Sequence, residues 1–285
     1  MQSVNTPLSL RHRVQDWRAQ GLRIAFVPTM GNLHEGHLTL VRRALQAADR
    51  VVVSIFVNPL QFSAGEDLAR YPRTEVRDAQ LLAEAGAHLL FLPEVIALYP
   101  RGIEACTRVE VPGLSDILCG ASRPGHFTGV ATVVTKLFNL VQPDVAVFGQ
   151  KDYQQLALIR TLVADLDMPV EIIGVPTQRE ASGLALSSRN GYLNEAERAQ
   201  APGLYAVLTR LRDALQAGEG DIPALEARGR AELEQAGFRP DYLSVRHSAD
   251  LAPFVPTPGE SFVVLGAAWL GTTRLIDNVE GRLAL

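Results

Sequence analysis

His34 and His37 stand three residues apart in the run Met30-Gly31-Asn32-Leu33-His34-Glu35-Gly36-His37. On the first turn of a helix that spacing puts both rings on one face. A helix start offers unpaired backbone N–H groups and about half a positive charge, which suits phosphate. Two imidazoles beside it add donors that can follow charge as it builds on a phosphoryl oxygen. Gly36, between them, lets the backbone approach a ligand closely. The same spacing also fits a metal pair or two ordinary surface histidines. Zinc needs more ligands than two, and only Cys106, Cys119 and four scattered histidines remain, none at ligand spacing.

Three further stretches carry polar groups where a ligand could use them. Asn58 and Gln61 follow an apolar run, and strand C-terminal ends are where ligands bind in open α/β sheets; Asn58-Pro59 also reads simply as a turn. In Gly149-Gln150-Lys151-Asp152-Tyr153-Gln154-Gln155, Lys151 offers a compact cation for a phosphate oxygen. There Asp152 can hold a ribose hydroxyl or cap a helix, and Gln155 lies one helical turn further on. Ala185-Leu186-Ser187-Ser188-Arg189-Asn190 could clamp phosphate, or Ser188 could be an N-cap. Residues 120–129, with Arg123 and His126 as possible contacts, read as a lid over an anionic substrate or a surface loop.

The elements that must position these groups follow from periodicity. Residues 23–27 read as a buried strand ended by Pro28, residues 30–32 as a turn, and Leu38, Leu40, Val41, Ala44 and Leu45 as a helix. Strands are expected over 51–57, 87–92, near 107–111, and over 144–148 and 170–175, with helices over 8–20, 74–86 (Thr74 as N-cap), 130–141 and about 153–167. The continuous apolar runs point to a parallel sheet buried on both faces. After a boundary at 176–182 the pattern changes to helices over 197–217 and 222–236, then strands over 242–246, 261–268 and 273–279. The expected architecture is α/β: a Rossmann-like parallel sheet over residues 1–176, with a smaller α+β lid domain over 177–285.

Bulk properties narrow the function. With 27 Lys+Arg against 31 Asp+Glu, the charge is too balanced to make nucleic acid or an anionic membrane the main partner. A composition 47% hydrophobic and 20% charged supports a sizeable core. No signal-peptide pattern and no apolar run of membrane-spanning length is read, and two cysteines make no disulfide framework, so the cytoplasm is the expected location.

Pro28-Thr29-Met30-Gly31-x-Leu33-His34-x-Gly36-His37 closely resembles the signature of the pantothenate synthetase (pantoate–β-alanine ligase) family, within the larger group of His-x-Gly-His nucleotidyl transferases. The resemblance runs over nearly the whole chain. It includes residues 56–62, Glu66-Asp67-Leu68, Tyr71-Pro72-Arg73-Thr74, Arg123-Pro124-Gly125-His126-Phe127, residues 148–155 and Ser187-Ser188-Arg189-Asn190. Gln178 departs from the pattern, the family more often having an aliphatic residue there. The resemblance implies an ATP-dependent condensation of pantoate with β-alanine through a pantoyl adenylate, releasing AMP and pyrophosphate. It implies that Met30, Gly31, Asn32, Leu33, His34, Glu35, Gly36 and His37 hold ATP. Gly149, Gln150, Lys151, Asp152, Gln178, Leu186, Ser187, Ser188 and Arg189 do so as well. His34, His37 and Lys151 are then catalytic, with His37 as proton donor, and Gln61, Gln155 and Asn58 contact pantoate or β-alanine. Mg²⁺ is implied to travel with ATP on phosphate oxygens, with no metal held by the protein alone. A homodimer is implied too.

Rival readings are separable. A plain adenylyl or cytidylyl transferase would share the histidine turn, but an acceptor phosphate would call for more arginine nearby. A nicotinamide dehydrogenase lacks its GxGxxG, and a P-loop enzyme its GxxxxGK[ST]. A catalytically silent nucleotide-binding regulator would bind ATP without forming AMP.

Overall fold

The computed structural model describes residues 1–63 and 66–285. They form two compact units, residues 1–150 with 158–176 and residues 151–157 with 177–285.

In the first unit the elements run β1 (Gln2–Val4), α1 (Pro7–Arg18), β2 (Ile24–Thr29), α2 (Glu35–Leu45), β3 (Arg50–Ile55), α3 (Glu75–Glu84), β4 (Leu89–Phe91), α4 (Val95–Leu98), α5 (Cys119–Ser122), α6 (His126–Val141), β5 (Val145–Gly149), α7 (Tyr153–Asp165) and β6 (Glu171–Val175). The first turn of α7 groups with the second unit. All neighbouring strands are parallel, in the order β1-β4-β3-β2-β5-β6. The strands are apolar on both faces because both are covered. Ala25 and Val27 join Val41 and Ala44 of α2 and Leu82 of α3 in one core, while Phe26 points the other way, its ring 6.3 Å from Phe138 of α6. The order reverses between β2 and β5, which are paired at Ala25↔Val145. Such a reversal marks the ligand crevice of open α/β sheets.

The second unit continues with α8 (Glu195–Gln200), α9 (Gly203–Gln216), α10 (Ile222–Gln235) and the antiparallel strands β7 (Arg239–His247), β8 (Ser261–Leu270) and β9 (Thr273–Arg282), in the order β7-β8-β9. Leu204, Leu208 and Leu211 of α9 and Leu225 and Leu233 of α10 are buried with Phe262 and Val264 of β8. The chain is thus a parallel α/β unit with a smaller α+β one.

Several local expectations need correction. Pro28 does not end its strand: it lies inside β2, opposite Ser54. Proline lacks the N–H a second neighbour would need, and β5 pairs β2 only at Ala25 and Phe26. β1, unread in the sequence, pairs β4 at the sheet edge. No strand forms over 107–111, because the N–H of Val109 goes to Thr132 Oγ1 (2.9 Å) and that of Val111 to Ser115 Oγ (3.3 Å). The stretch 120–129 is largely helical, covered by the end of α5 and the start of α6. The helix expected over 197–217 is two, α8 and α9, broken at Pro202.

Candidate active site

The turn after β2 is held from below by one buried carboxylate. Asp78 of α3 is fully buried and accepts the N–H groups of Asn32 (2.8 Å) and Leu33 (2.9 Å). Thr74 does not cap α3 through its side chain as expected; its hydroxyl donates to the same carboxylate at 3.0 Å. Gly31 has φ +83°, and a Cβ there would stand 3.0 Å from Ile55 Cγ2 and 3.1 Å from Asp78 Oδ2, so both backbone and space call for glycine. Asn32 follows with φ +49°. The sequence reading missed Asp78. Its one signal was a place four residues from Leu82, on the buried stripe of α3.

His34 is the N-cap of α2 and His37 its third residue, with ring centroids 4.2 Å apart. The N–H of His34 donates to His37 Nδ1 at 3.3 Å. An Nδ1 that accepts leaves the neutral imidazole's proton on Nε2, so His37 is held as an Nε2–H donor. Glu35 would oppose an anion here, but Arg42 takes its charge: the two side chains hydrogen-bond, and this holds the Glu35 carboxyl below its ordinary range.

Gln61 ends a 3-10 turn, Pro59–Gln61, beyond β3. Its Oε1 accepts from Asn58 Nδ2 (3.2 Å) and its Nε2 donates to Met30 Sδ (2.9 Å). A thioether is a weak acceptor, readily exchanged for a hydroxyl. Asn58 is buried and engaged on every side. Its Nδ2 also donates to the Gly129 carbonyl (3.1 Å), and its Oδ1 accepts from the Leu60 N–H (3.3 Å) and the Tyr99 hydroxyl (2.9 Å). Burial pushes the Tyr99 phenol well above its usual pKa, so it stays a donor. Asn58 therefore braces Gln61 and the turn. Gly129 of α6 lets this happen, since a Cβ there would come 2.4 Å from the Leu60 carbonyl oxygen and 2.7 Å from the Gln61 nitrogen.

Gly149 closes β5 and Gln150 follows it, at the strand next to β2. In the second unit, Lys151 and exposed Asp152 lead into α7, with Gln155 on its first turn. Gln178 and Leu186 face each other across a hairpin closed at Gly183 (φ +95°), the N–H of Leu186 donating to the Gln178 carbonyl at 2.9 Å. Ser187, rather than Ser188, is the N-cap of the turn Ser188–Tyr192, its Oγ accepting the Arg189 N–H at 3.2 Å. Arg179 of this hairpin forks onto Asp277 of β9 (2.6 and 2.8 Å) with its guanidinium 3.7 Å from the centre of the Tyr205 ring. Beside Asp277, Asn278 Nδ2 donates to the Lys151 carbonyl at 3.0 Å. Tyr153 donates from its hydroxyl to Glu280 Oε1 (2.8 Å) or the Ser248 carbonyl (2.9 Å). Arg179, Asp277 and Asn278 were not read as functional, because pairing between positions about a hundred residues apart leaves no local pattern. The described residues gather no group of three or more His, Cys, Asp or Glu side chains as a metal site.

A family model described as Pantoate-beta-alanine ligase matches residues 2–280. The pantothenate synthetase of Pseudomonas entomophila (strain L48) is 59% identical over 279 residues, 98% of this chain and 97% of the relative. That of Azotobacter vinelandii (strain DJ / ATCC BAA-1303) is 58% identical over 285 residues, the whole of both chains. Among solved structures, the pantothenate synthetase from Thermus thermophilus is similar with a TM-score of 0.87 at 48% identity, covering 98% of this chain and 99% of that one. A pantoate-beta-alanine ligase from Francisella tularensis complexed with beta-gamma ATP and beta-alanine gives a TM-score of 0.81 at 35% identity, covering 98% and 97%.

Proposed function

The chain belongs to the pantoate–β-alanine ligase family, and from that premise we propose how its residues divide the reaction. The enzyme condenses pantoate with β-alanine to pantothenate, using ATP. A carboxylate is a poor acyl donor because its leaving group would be oxide. The pantoate carboxylate attacks the α-phosphorus of ATP, expelling pyrophosphate and forming pantoyl adenylate. The β-alanine amine then attacks the acyl carbon, the acyl C–O bond breaks to release AMP, and the amine's surplus proton passes to solvent. The first step needs little acid–base chemistry, so positioning and charge stabilisation dominate it.

One observation carries the assignment: the start of α2 presents its N–H groups beside two histidines, of which His37 is fixed as an Nε2–H donor by the His34 N–H. His34 and His37 stabilise charge on the phosphoryl oxygens, and residues 30–37 hold the triphosphate and adenosine. Gln61 takes pantoate through its amide, with Asn58 bracing it, and Gln155 contributes to the same substrate. Gly149, Gln150, Lys151 and Asp152 serve the nucleotide, Lys151 on a phosphate and Asp152 on the ribose. Gln178, Leu186, Ser187, Ser188 and Arg189 serve adenine and phosphates. Mg²⁺ would travel with ATP, held chiefly by phosphate oxygens rather than by a protein cage. It supplies charge neutralisation on the triphosphate. The larger unit is assigned to ATP and pantoate and the smaller to closing the reaction off from water. No helix among the described residues is long and apolar enough to cross a membrane. The cytoplasm is proposed because two cysteines in the sequence make no disulfide framework. The homodimer rests on the family likeness.

The test is AMP release from ATP and Mg²⁺ with pantoate and β-alanine omitted in turn. AMP only with both, and pyrophosphate exchange into ATP with pantoate alone, establishes the two-step ligase. Nucleotide binding without turnover in any combination refutes it, as does turnover with a phosphorylated acceptor.

A further inference from the structure

Gln61 is gripped by its main chain as well as its side chain. His126 Nδ1 lies 2.7 Å from its carbonyl oxygen, and Arg123 Nη2 lies 3.4 Å from the same oxygen. A carbonyl only accepts, so the His126 proton is on Nδ1. Arg123 Nη1 lies 3.0 Å from His126 Nε2, and a guanidinium only donates, so Nε2 carries the lone pair. The partners thus select a single neutral tautomer. Arg123 is itself fixed by a fork onto Glu66, through Nε (2.8 Å) and Nη2 (2.6 Å), with both side chains mostly buried. His126 is buried and opens α6, one turn before the glycine that abuts the Leu60–Gln61 main chain. The Glu66 carboxylate offsets the Arg123 charge, and His126 is neutral. Neither side chain is therefore arranged as a cation awaiting an anionic substrate, the contact role the sequence left open for both.

We infer that Arg123 and His126 are positioning residues for pantoate: with Glu66 they clamp the Gln61 carbonyl and so set where the Gln61 amide points. The inference rests on the assignment of Gln61 to pantoate. A clamp of this kind acts on one substrate only. A group misplaced by about 1 Å can cost the reaction it serves up to a hundredfold, and the effect should fall mainly on pantoate because the Asn32–Leu33 part of the ATP-directed turn is held separately by Asp78.

The experiment compares His126→Ala, His126→Asn, Arg123→Met and Gln61→Ala in steady-state kinetics with pantoate and ATP varied in turn, beside thermal melting. His126→Ala is expected to raise KM for pantoate about tenfold with KM for ATP within about twofold of wild type. His126→Asn keeps an N–H that can reach the Gln61 carbonyl and is expected to recover most of the loss. Arg123→Met repeats the selective rise should His126→Ala melt too low to assay. Equal rises for both substrates overturn the inference, as does failure of His126→Asn to rescue while melting like wild type. An unchanged KM for pantoate in His126→Ala and Arg123→Met, beside a raised one in Gln61→Ala, overturns the inference alone. An unchanged value in Gln61→Ala overturns the assignment of Gln61, and the inference with it.

Discussion

Gly129→Ala separates helix propensity from geometry at the site. On an open helix the substitution stabilises by up to about 1 kcal/mol. Here the new methyl would meet the Leu60 carbonyl oxygen at 2.4 Å, its carbon at 2.6 Å and the Gln61 nitrogen at 2.7 Å. All three are main-chain atoms, so no side chain can swing aside. Ordinary contact begins roughly 1 Å further out, so the 59–61 turn must shift by about that much, and overpacking of this kind costs about 1–3 kcal/mol. The shift also stretches the 3.1 Å bond from Asn58 to the Gly129 carbonyl. The expected net is a loss of about 1–2 kcal/mol, seen as a melting temperature lower by roughly 2–8 °C. Because Gln61 moves with the turn, kcat/KM for pantoate should fall by on the order of tenfold to a hundredfold, with KM for ATP little changed. Differential scanning calorimetry and initial-rate kinetics check both. A variant that melts at or above wild type with normal pantoate kinetics would refute the reasoning from this contact.

The other predictions concern the histidine turn and the sheet edge. His37→Ala should fold and yet lose pantoate-dependent pyrophosphate exchange by about two to four orders of magnitude, and near-normal exchange would remove His37 from the chemistry. Asp78→Asn replaces an acceptor of three donors with an amide whose N–H₂ end opposes them. It should lower stability by about 1–3 kcal/mol and raise KM for ATP, whereas unchanged melting would show the carboxylate to be dispensable. His88 Nδ1 accepts the Val51 N–H at 3.1 Å. Burial first, then Arg50 and the terminal amine, hold its pKa below the ordinary histidine value. The unfolded chain therefore takes up this proton near pH 6.5 while the folded one resists. Stability from this group is fully present above about pH 6.5 and is lost as pH falls from there through the lower folded pKa. Wild type should lose more melting temperature across that window than His88→Gln, and parallel losses would argue against it.

Sequence periodicity captured the buried strands because a doubly covered parallel strand reads as one apolar run, as residues 51–55 do. It failed where main-chain groups are satisfied by side chains, as at Val109 and Val111, since no alternation records that choice. Within the stretch 120–129 it misjudged residues 126–129, because Gly129 signals a loop when its use is close approach within a helix. The shared face of His34 and His37 was legible through their spacing, which still left a metal pair or two surface histidines open, and the phosphate role came from the family resemblance. Asp78, Arg179 and Asp277 were not, because an acid or base on an amphipathic element looks solvated until its distant partner is known.

The adjacent side chains Asp277 and Asn278 reach two segments that are far apart in sequence, the hairpin through Arg179 and the start of α7 through the Lys151 carbonyl. Mechanically, β9 is a common mount. A displacement of that strand would be passed to the Lys151 main chain and to the 178–186 hairpin together, so the groups proposed for phosphate on these two segments would move together. Substitutions in β9 should accordingly alter how many of these groups act at the same moment, while leaving the chemistry of each unchanged.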